Sequence, residues 1–386
     1  MRVLLITPSF PPRAGGLETY VAHLAEALAA QGHSIVVLTN GDIEEQPAVE
    51  ERHGYLVWRT RALLADRGHE NFVPWERSYF ALLNDVAEFG AGAHFDVVHC
   101  HTQVSLLIAH LCGLPQRAPI VASFHETNPF RDKLGEQRTQ FIIRQCLAAR
   151  YAVGSEAFAA QARSFGVDSE LIRVVRMGVR DRRHMDRDLA RQELYDRHGV
   201  STDRCLITLL GRFTPRKQHA LALVALERMR QRDDAQLLFV GSDNSTDPAF
   251  VHRLRRDAAA AAPSVIWLEN ISDADRDLIV DASDVGVQPS SMEGLGLAAI
   301  EFMMAGVPVV VSDIEGLREV VGEYTTCLVN PDSADALARR LDELVVNSRE
   351  RTTLGKQLQQ RARLELSIER ATAQTLSVYS EALLCA

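Results

Sequence analysis

Lysine is almost missing from this chain: Lys133, Lys217 and Lys356 are the three lysines among 42 basic residues in a length of 386. A lysine kept against so arginine-rich a background marks a position to inspect. Aromatic residues are also scarce at 6%, so the cores must be built mainly from Val, Leu, Ile and Ala. No stretch approaches the ~20 consecutive apolar residues of a membrane-spanning helix. The opening apolar run stops at Thr7-Pro8, too short for the hydrophobic region of a signal peptide. Positive charge is not in excess. A net charge of −9 argues against the broad basic face that sequence-independent nucleic-acid binding needs. It speaks less strongly against membranes, where one local basic patch suffices. The cysteines Cys100, Cys112, Cys146, Cys205, Cys327 and Cys385 are scattered and contain no C-x-x-C pair. They read as reduced thiols of a cytoplasmic protein rather than a disulfide framework.

What is present is alternation. The 386 residues suit two α/β domains, and the 46% hydrophobic and 24% charged content is that of a globular chain. Short Val/Ile/Leu runs predict strands over 3–7, 34–39, 55–59, 96–100, 119–124, 150–153 and 172–176, with an Ala-rich helix over 17–30. Continuous β-branched runs with helices between them predict a parallel sheet covered on both faces. The rhythm breaks at 181–203, a charge-dense stretch that reads as a linker with a solvated helix. It restarts with strands over 205–210, 235–240, 264–268, 284–288, 308–311 and 326–329, and is helical after Ser333. The expected division is therefore 1–180, a linker over 181–203, 204–365, and a closing helical segment over 366–386. In doubly wound sheets ligands bind at the carboxyl ends of strands, so two such domains predict a shared cleft.

The segment Val287-Gln-Pro-Ser-Ser-Met-Glu293-Gly294-Leu295-Gly296-Leu297-Ala-Ala-Ile-Glu301 carries the strongest chemistry. A strand ends, a turn passes through Pro289, and a Gly-rich bend opens a helix. Gly294 and Gly296 allow backbone N–H groups to approach a ligand, and the helix start favours a phosphate. Two carboxylates flank that cradle, a pattern suited to a nucleotide sugar with its ribose on Glu301 and its sugar on Glu293. A second element, Gly211-Arg212-Phe-Thr-Pro-Arg216-Lys217-Gln-His219, follows the first strand of the second domain. Arg212 and Lys217 are placed to hold phosphate oxygens and to stabilise charge on a departing diphosphate. A third, Gly15-Gly16, follows the first strand and permits close approach of a phosphate or an acceptor.

On these residues the chain resembles the family-four retaining glycosyltransferases of the GT-B fold. Glu293 and Glu301 match the family's paired glutamates, and Gly211, Arg212 and Lys217 its Gly-Arg-x-x-x-x-Lys element. Gly15 and Gly16 match its N-terminal double glycine, and His99-x-His101 and Ser123-x-His125 its strand-end histidines. The resemblance implies two Rossmann-like domains, the first for the acceptor and the second for the nucleotide sugar, with the closing helix packed back on the first. It implies that Arg212 and Lys217 hold the diphosphate, Glu301 the ribose and Glu293 the donor sugar. Gly15, Gly16, Gly294, Leu295, Gly296 and Leu297 complete the donor site. His99, His101 and His125 lie on the acceptor side, with His125 near the sugar as a catalytic group. The implied chemistry is metal-independent transfer with retained configuration and no cofactor beyond the donor. The donor would be a UDP- or GDP-sugar, and the acceptor a small polyol, glycoside or natural-product scaffold. Departures occur at Met177-Gly-Val-Arg180-Asp181, at Glu315-Gly316-Leu-Arg-Glu319 and in the long loop 241–248.

Other readings stay open at this level. His99-x-His101 on a strand would share one face, as metal ligands do, but no further ligand cluster follows. The Asp-x-Asp pairs at 186–188, 273–275 and 275–277 fall in charged helical stretches, where residues two apart diverge. The basic run Arg131, Lys133, Arg138, Arg144 and Arg150 reads as a solvated helix face. Gly294-x-Gly296-x-x-Ala299 with Asp313 also fits a dinucleotide fingerprint, which would make the chain an NAD-dependent dehydrogenase. A non-catalytic nucleotide-sugar-binding protein is the third alternative.

Overall fold

The computed structural model describes residues 1–13, 15–41, 47–60, 83–86, 94–125, 133–242 and 247–385. They form two compact units, Met1–Gly178 with Ile368–Ala386, and Val179–Ser367.

The first unit is built on β1 (Arg2–Ile6), α1 (Gly16–Ala30), β2 (Ser34–Asn40), β3 (Val49–Arg52), β4 (Tyr55–Thr60), β5 (Val97–Cys100), α2 (Gln103–Leu111), β6 (Ile120–Phe124), α3 (Lys133–Gln145), β7 (Arg150–Val153), α4 (Glu156–Ser164) and β8 (Ile172–Val174). Its sheet runs β3-β4-β2-β1-β5-β6-β7-β8. All neighbours are parallel except β3 and β4. The predicted strands are all present, shifted by a residue or two at their ends. β3 was not predicted, because Val-Glu-Glu-Arg has neither apolar alternation nor β-branched density. A local turn creates it instead. His53 (φ 48°) and Gly54 (φ 84°) both take positive φ between the paired residues Arg52 and Tyr55. That is the two-residue geometry that folds a strand back on its neighbour. Side-chain caps start the helices: Thr102 accepts the Ser105 N–H (3.0 Å) at α2, and Ser155 the Phe158 N–H (3.2 Å) at α4.

The second unit holds α5 (Arg187–His198), β9 (Cys205–Leu210), α6 (His219–Arg228), β10 (Ala235–Gly241), α7 (Pro248–Ala260), β11 (Val265–Glu269), α8 (Asp273–Ala282), β12 (Val285–Gln288), α9 (Leu297–Met304), β13 (Val309–Ser312), α10 (Glu315–Val321), β14 (Leu328–Val329), α11 (Ala334–Val346) and α12 (Ser348–Glu365). Its sheet is wholly parallel in the order β11-β10-β9-β12-β13-β14. Val310, Val311, Phe239 and Ile207 are fully buried in it.

Residues 181–203 differ from the expected linker: they belong to the second unit. Asp281 at the end of α8 accepts two bonds from Arg182 (2.8 Å each), one from His184 Nδ1 (2.7 Å) and one from the Met185 N–H (2.8 Å). Arg191, 7% exposed, donates to the carbonyls of Ala282, Ser201 and Arg204 and to Asp284. The charge density that suggests a solvated tether consists of arginines with partners about 90 residues downstream, such as Ala282 at a separation of 91. The last helix, α13 (Ile368–Leu383), packs in the first unit, where Arg150 and Arg173 hold its Glu381 and Tyr379 is fully buried. Arg131 of the basic run, the side chain of Lys133 and positions 243–246 of the 241–248 loop lie outside the described residues. No helix among the described residues is long and apolar enough to cross a membrane.

Candidate active site

Strand order selects where chemistry can gather. In the second unit β9 and β12 are neighbours, and the chain leaves them toward opposite sides of the sheet, to β10 and to β13. A crevice opens at the carboxyl ends of strands at such a reversal. The segments leaving β9 and β12 are 211–217 and 289–296, the two elements singled out in the sequence, and they meet. The Ser291 N–H donates to the Arg216 carbonyl (2.9 Å), Lys217 Nζ donates to Glu293 Oε2 (2.6 Å), and Gln288 Nε2 donates to the same oxygen (2.9 Å). Arg216 lies 3.9 Å from Glu293 Oε1. Burial pushes the Glu293 carboxyl up, but Lys217, Arg216 and the bonds from Lys217 and Gln288 outweigh it and hold it below the usual value. Glu293, its side chain 11% exposed, is therefore a largely enclosed, ionised acceptor. Arg212, in contrast, has no carboxylate partner among the described residues, which leaves its guanidinium available for an anion.

Gln288 is a site residue that sequence reasoning did not single out. At 3% exposure its amide oxygen accepts the Ala299 N–H (3.1 Å) in the first turn of α9, while its nitrogen holds Glu293. One side chain thus ties the helix start to the carboxylate. Gly296 caps α9 in the left-handed conformation (φ 80°), and a Cβ there would lie 2.5 Å from Leu317 Cδ2. The first N–H groups of α9 have no partner within the helix and present a positive end. Leu295 is 1% exposed, so its side chain anchors the bend in the core and leaves its backbone alone to meet a ligand. Gly316, the second residue of α10, has a role that a motif comparison does not reveal. A Cβ there would lie 2.5 Å from the carbonyl oxygens of both Glu293 and Gly294. Gly316→Ala is expected to cost about 1–3 kcal/mol of stability through overpacking and to displace the bend. Thermal melting and nucleotide-diphosphate binding measured together check this; a variant matching the wild type in both would show that the bend does not depend on this contact.

Glu301 follows on α9. Arg276 of α8 donates to its Oε1, and its Oε2 is buried with no partner among the described residues. Burial raises the Glu301 carboxyl more than Arg276 lowers it. Arg276 was also missed, because it stands among the acidic residues of an ordinary amphipathic helix start. Asp313, which the dinucleotide reading requires, forms an ion pair with Arg318.

In the first unit the corresponding reversal lies between β1 and β5, with β2 beyond β1 and β6 beyond β5. The histidines collect at its carboxyl end. His99 is 1% exposed, with Nδ1 on the Tyr379 hydroxyl (2.8 Å) and Nε2 on Ser123 Oγ (2.7 Å). Both ring nitrogens are occupied, so His99 supports the site and has none left for an acceptor. Its ring lies 4.1 Å from that of His101, whose Nδ1 is 3.3 Å from His125 Nε2. His101 and His125 stack at 5.6 Å, Tyr20 meets both edge-on, and His125 Nδ1 has no partner among the described residues. Burial depresses His99 to about 3 and His125 to about 4, and His101 lies well below its ordinary value. The cluster is neutral. Gly15 and Gly16 open α1, where the Glu18 carboxylate folds back over Gly15 and accepts from Ser9 Oγ (2.7 Å).

Comparison with known proteins agrees with this layout. Residues 14–183 match the family described as Glycosyltransferase Family 4, and residues 190–361 match Glycosyl transferases group 1. An uncharacterised glycosyltransferase of Methanocaldococcus jannaschii is 26% identical over 361 residues, 89% of each chain. Phosphatidyl-myo-inositol mannosyltransferase of Mycobacterium tuberculosis is 29% identical over 331 residues, 83% of this chain and 80% of that one. Among solved structures, sucrose-phosphate synthase of Thermosynechococcus elongatus superposes with a TM-score of 0.85 at 23% identity over 100% of both chains. HepE of Anabaena, solved with UDP-glucose, superposes at 0.80 with 18% identity over 98% of this chain and 99% of that one.

Proposed function

Because this chain belongs to the family-four glycosyltransferases of the GT-B fold, enzymes that act on nucleotide-sugar donors, we propose that it transfers a hexose from a UDP- or GDP-sugar to a small soluble acceptor with retained configuration. The observation that carries this reading is the meeting of Lys217 and Glu293 at the start of α9, with Arg212, which has no carboxylate partner among the described residues, on the same segment as Lys217. Arg212 and Lys217 bind the diphosphate, with the N–H groups near Gly294–Leu297 adding fixed partial charge. Glu301 accepts from the ribose hydroxyls, and Glu293 from hydroxyls of the sugar. His125, with His101 beside it, is the histidine assigned to the reacting sugar, and Gly15-Gly16 lets backbone approach a ligand.

In the reaction the bond from the anomeric carbon to the diphosphate oxygen breaks, and the acceptor oxygen bonds that carbon on the same face. The departing oxygen takes the acceptor proton. No metal is assigned a step: the cations Arg212 and Lys217 with the α9 terminus neutralise the leaving group. The net charge of −9 supports a soluble acceptor over an anionic lipid. Six free cysteines fit a reducing cytoplasm.

Thermal melting with UDP-, GDP-, ADP- and dTDP-sugars, and with NAD and NADP as controls, tests the reading. A ligand at 100 times its dissociation constant stabilises by about 2.7 kcal/mol, a readable rise in Tm. The expected result is a rise with one or two nucleotide sugars. A rise with NAD alone would overturn the proposal.

A further inference from the structure

Glu301 presents a problem that its place in a motif does not solve. Its side chain is 12% exposed, and burial pushes its carboxyl up even with Arg276 beside it. A protonated carboxyl is a poor partner for two adjacent hydroxyls, since one of its oxygens then carries a hydrogen. Arg276 is the nearest cation opposing that rise. It stands in the first turn of α8, its N–H bonded to the Ser272 carbonyl (2.9 Å), and its guanidinium donates to Glu301 Oε1. It engages one oxygen and leaves Oε2 buried without a partner among the described residues. The neighbouring charges are arranged consistently. Asp277 would push the Glu301 carboxyl further up, but Arg182 lies 3.0 Å from Asp277 and also holds Asp281.

We propose that Arg276 is a positioning residue for donor recognition: it keeps Glu301 ionised and turns its second oxygen toward the ribose hydroxyls of the nucleotide. This rests on Glu301 being the ribose carboxylate. A competing role would have the opposite sign. If Arg276 merely neutralises Glu301 in the empty protein, nucleotide must displace it, and its removal would tighten binding.

Calorimetric titration of the full chain with UDP, GDP and ADP, each paired with its 2′,3′-dideoxy counterpart, separates these roles. The wild type should bind its best ribonucleotide about tenfold or more tightly than the dideoxy form, the worth of one charge-assisted hydrogen bond. In Arg276→Met the ribonucleotide Kd should rise by about that factor while the dideoxy Kd stays unchanged, so the ratio falls toward one. Arg276→Lys should restore part of the ratio. An unchanged ratio in Arg276→Met, or tighter ribonucleotide binding, overturns the proposal. Should Arg276→Met fail to fold, Arg276→Lys decides: a ratio below wild type supports the proposal and an unchanged one overturns it. Glu301→Gln keeps the two readings apart. If it leaves the wild-type ratio intact, Glu301 is not on the ribose and both fall. If it collapses the ratio while Arg276→Met does not, the positioning role alone falls.

Discussion

Lys217→Met is expected to lower kcat about a hundred- to a thousandfold, the cost of losing a fixed positive group at the place proposed for the leaving diphosphate. The effect should exceed that of an ordinary surface lysine because Lys217 is 9% exposed and 2.6 Å from Glu293. Removing it also isolates the carboxylate. Glu293 then retains Gln288 at 2.9 Å and Arg216 at 3.9 Å, too little to offset its burial. Its carboxyl should rise, and with Glu293 proposed to hold the donor sugar, KM for the donor should rise as kcat falls. Breaking a buried pair from one side also costs about 3 kcal/mol in stability. The double variant Lys217→Met/Glu293→Gln should recover most of that stability and none of the turnover. Steady-state kinetics with thermal melts on the two single variants and the double one check this. A kcat for Lys217→Met within a factor of two of wild type would remove Lys217 from the catalytic machinery.

Acidification should destabilise the first unit well before its carboxylates titrate. His99, His101 and His125 are held neutral there by burial, His99 at about 3 and His125 at about 4. In the unfolded chain each regains a pKa near 6.5. Below that value the unfolded state binds more protons, so stability is fully present above about pH 6.5 and is lost as pH falls toward the folded pKa values. Each histidine contributes a slope of about 1.4 kcal/mol per pH unit, and three together rival a domain's whole stability within two units. In the second unit, among the described residues, His219 is held neutral in the same way, at about 3, packed between Phe213 and Phe239. That unit should therefore outlast the first. Hydrogen exchange followed by mass spectrometry from neutral pH to pH 5 is the measurement. Protection should fall first in peptides from β1, β5, β6 and α13. Equal loss in both units, or a flat Tm over that interval, would contradict the neutral cluster.

Most of the framework was legible because strands in a doubly wound sheet are continuous apolar runs, and such a run stands out whatever lies beside it. The glycine-rich bend before α9 was legible for a related reason. Two glycines and two glutamates within one short segment interact locally, so their spacing already implies a phosphate-sized cradle. β3 shows the limit from one side: a charged four-residue segment becomes a strand because His53-Gly54 turns it onto β4. Residues 181–203 show it from the other, since their arginines look solvated until α8 and β12 bring up their partners.

The sequence by itself determined two α/β units, their strands, and which segments carry the candidate site, because periodicity and short-range composition act within a few residues. The tertiary structure decided which groups work together. Lys217 and Glu293 are 76 residues apart, Arg276 and Glu301 are 25, and His99 and Tyr379 are 280. They meet because β9 lies beside β12, because α8 packs near α9, and because the last helix returns to the first unit. Those neighbours follow from long crossovers and the burial of whole faces, which no local pattern encodes. The same packing sets the charge states. Burial raises the Glu301 carboxyl against the pull of Arg276 and keeps the histidines neutral, and burial is a property of the assembled core.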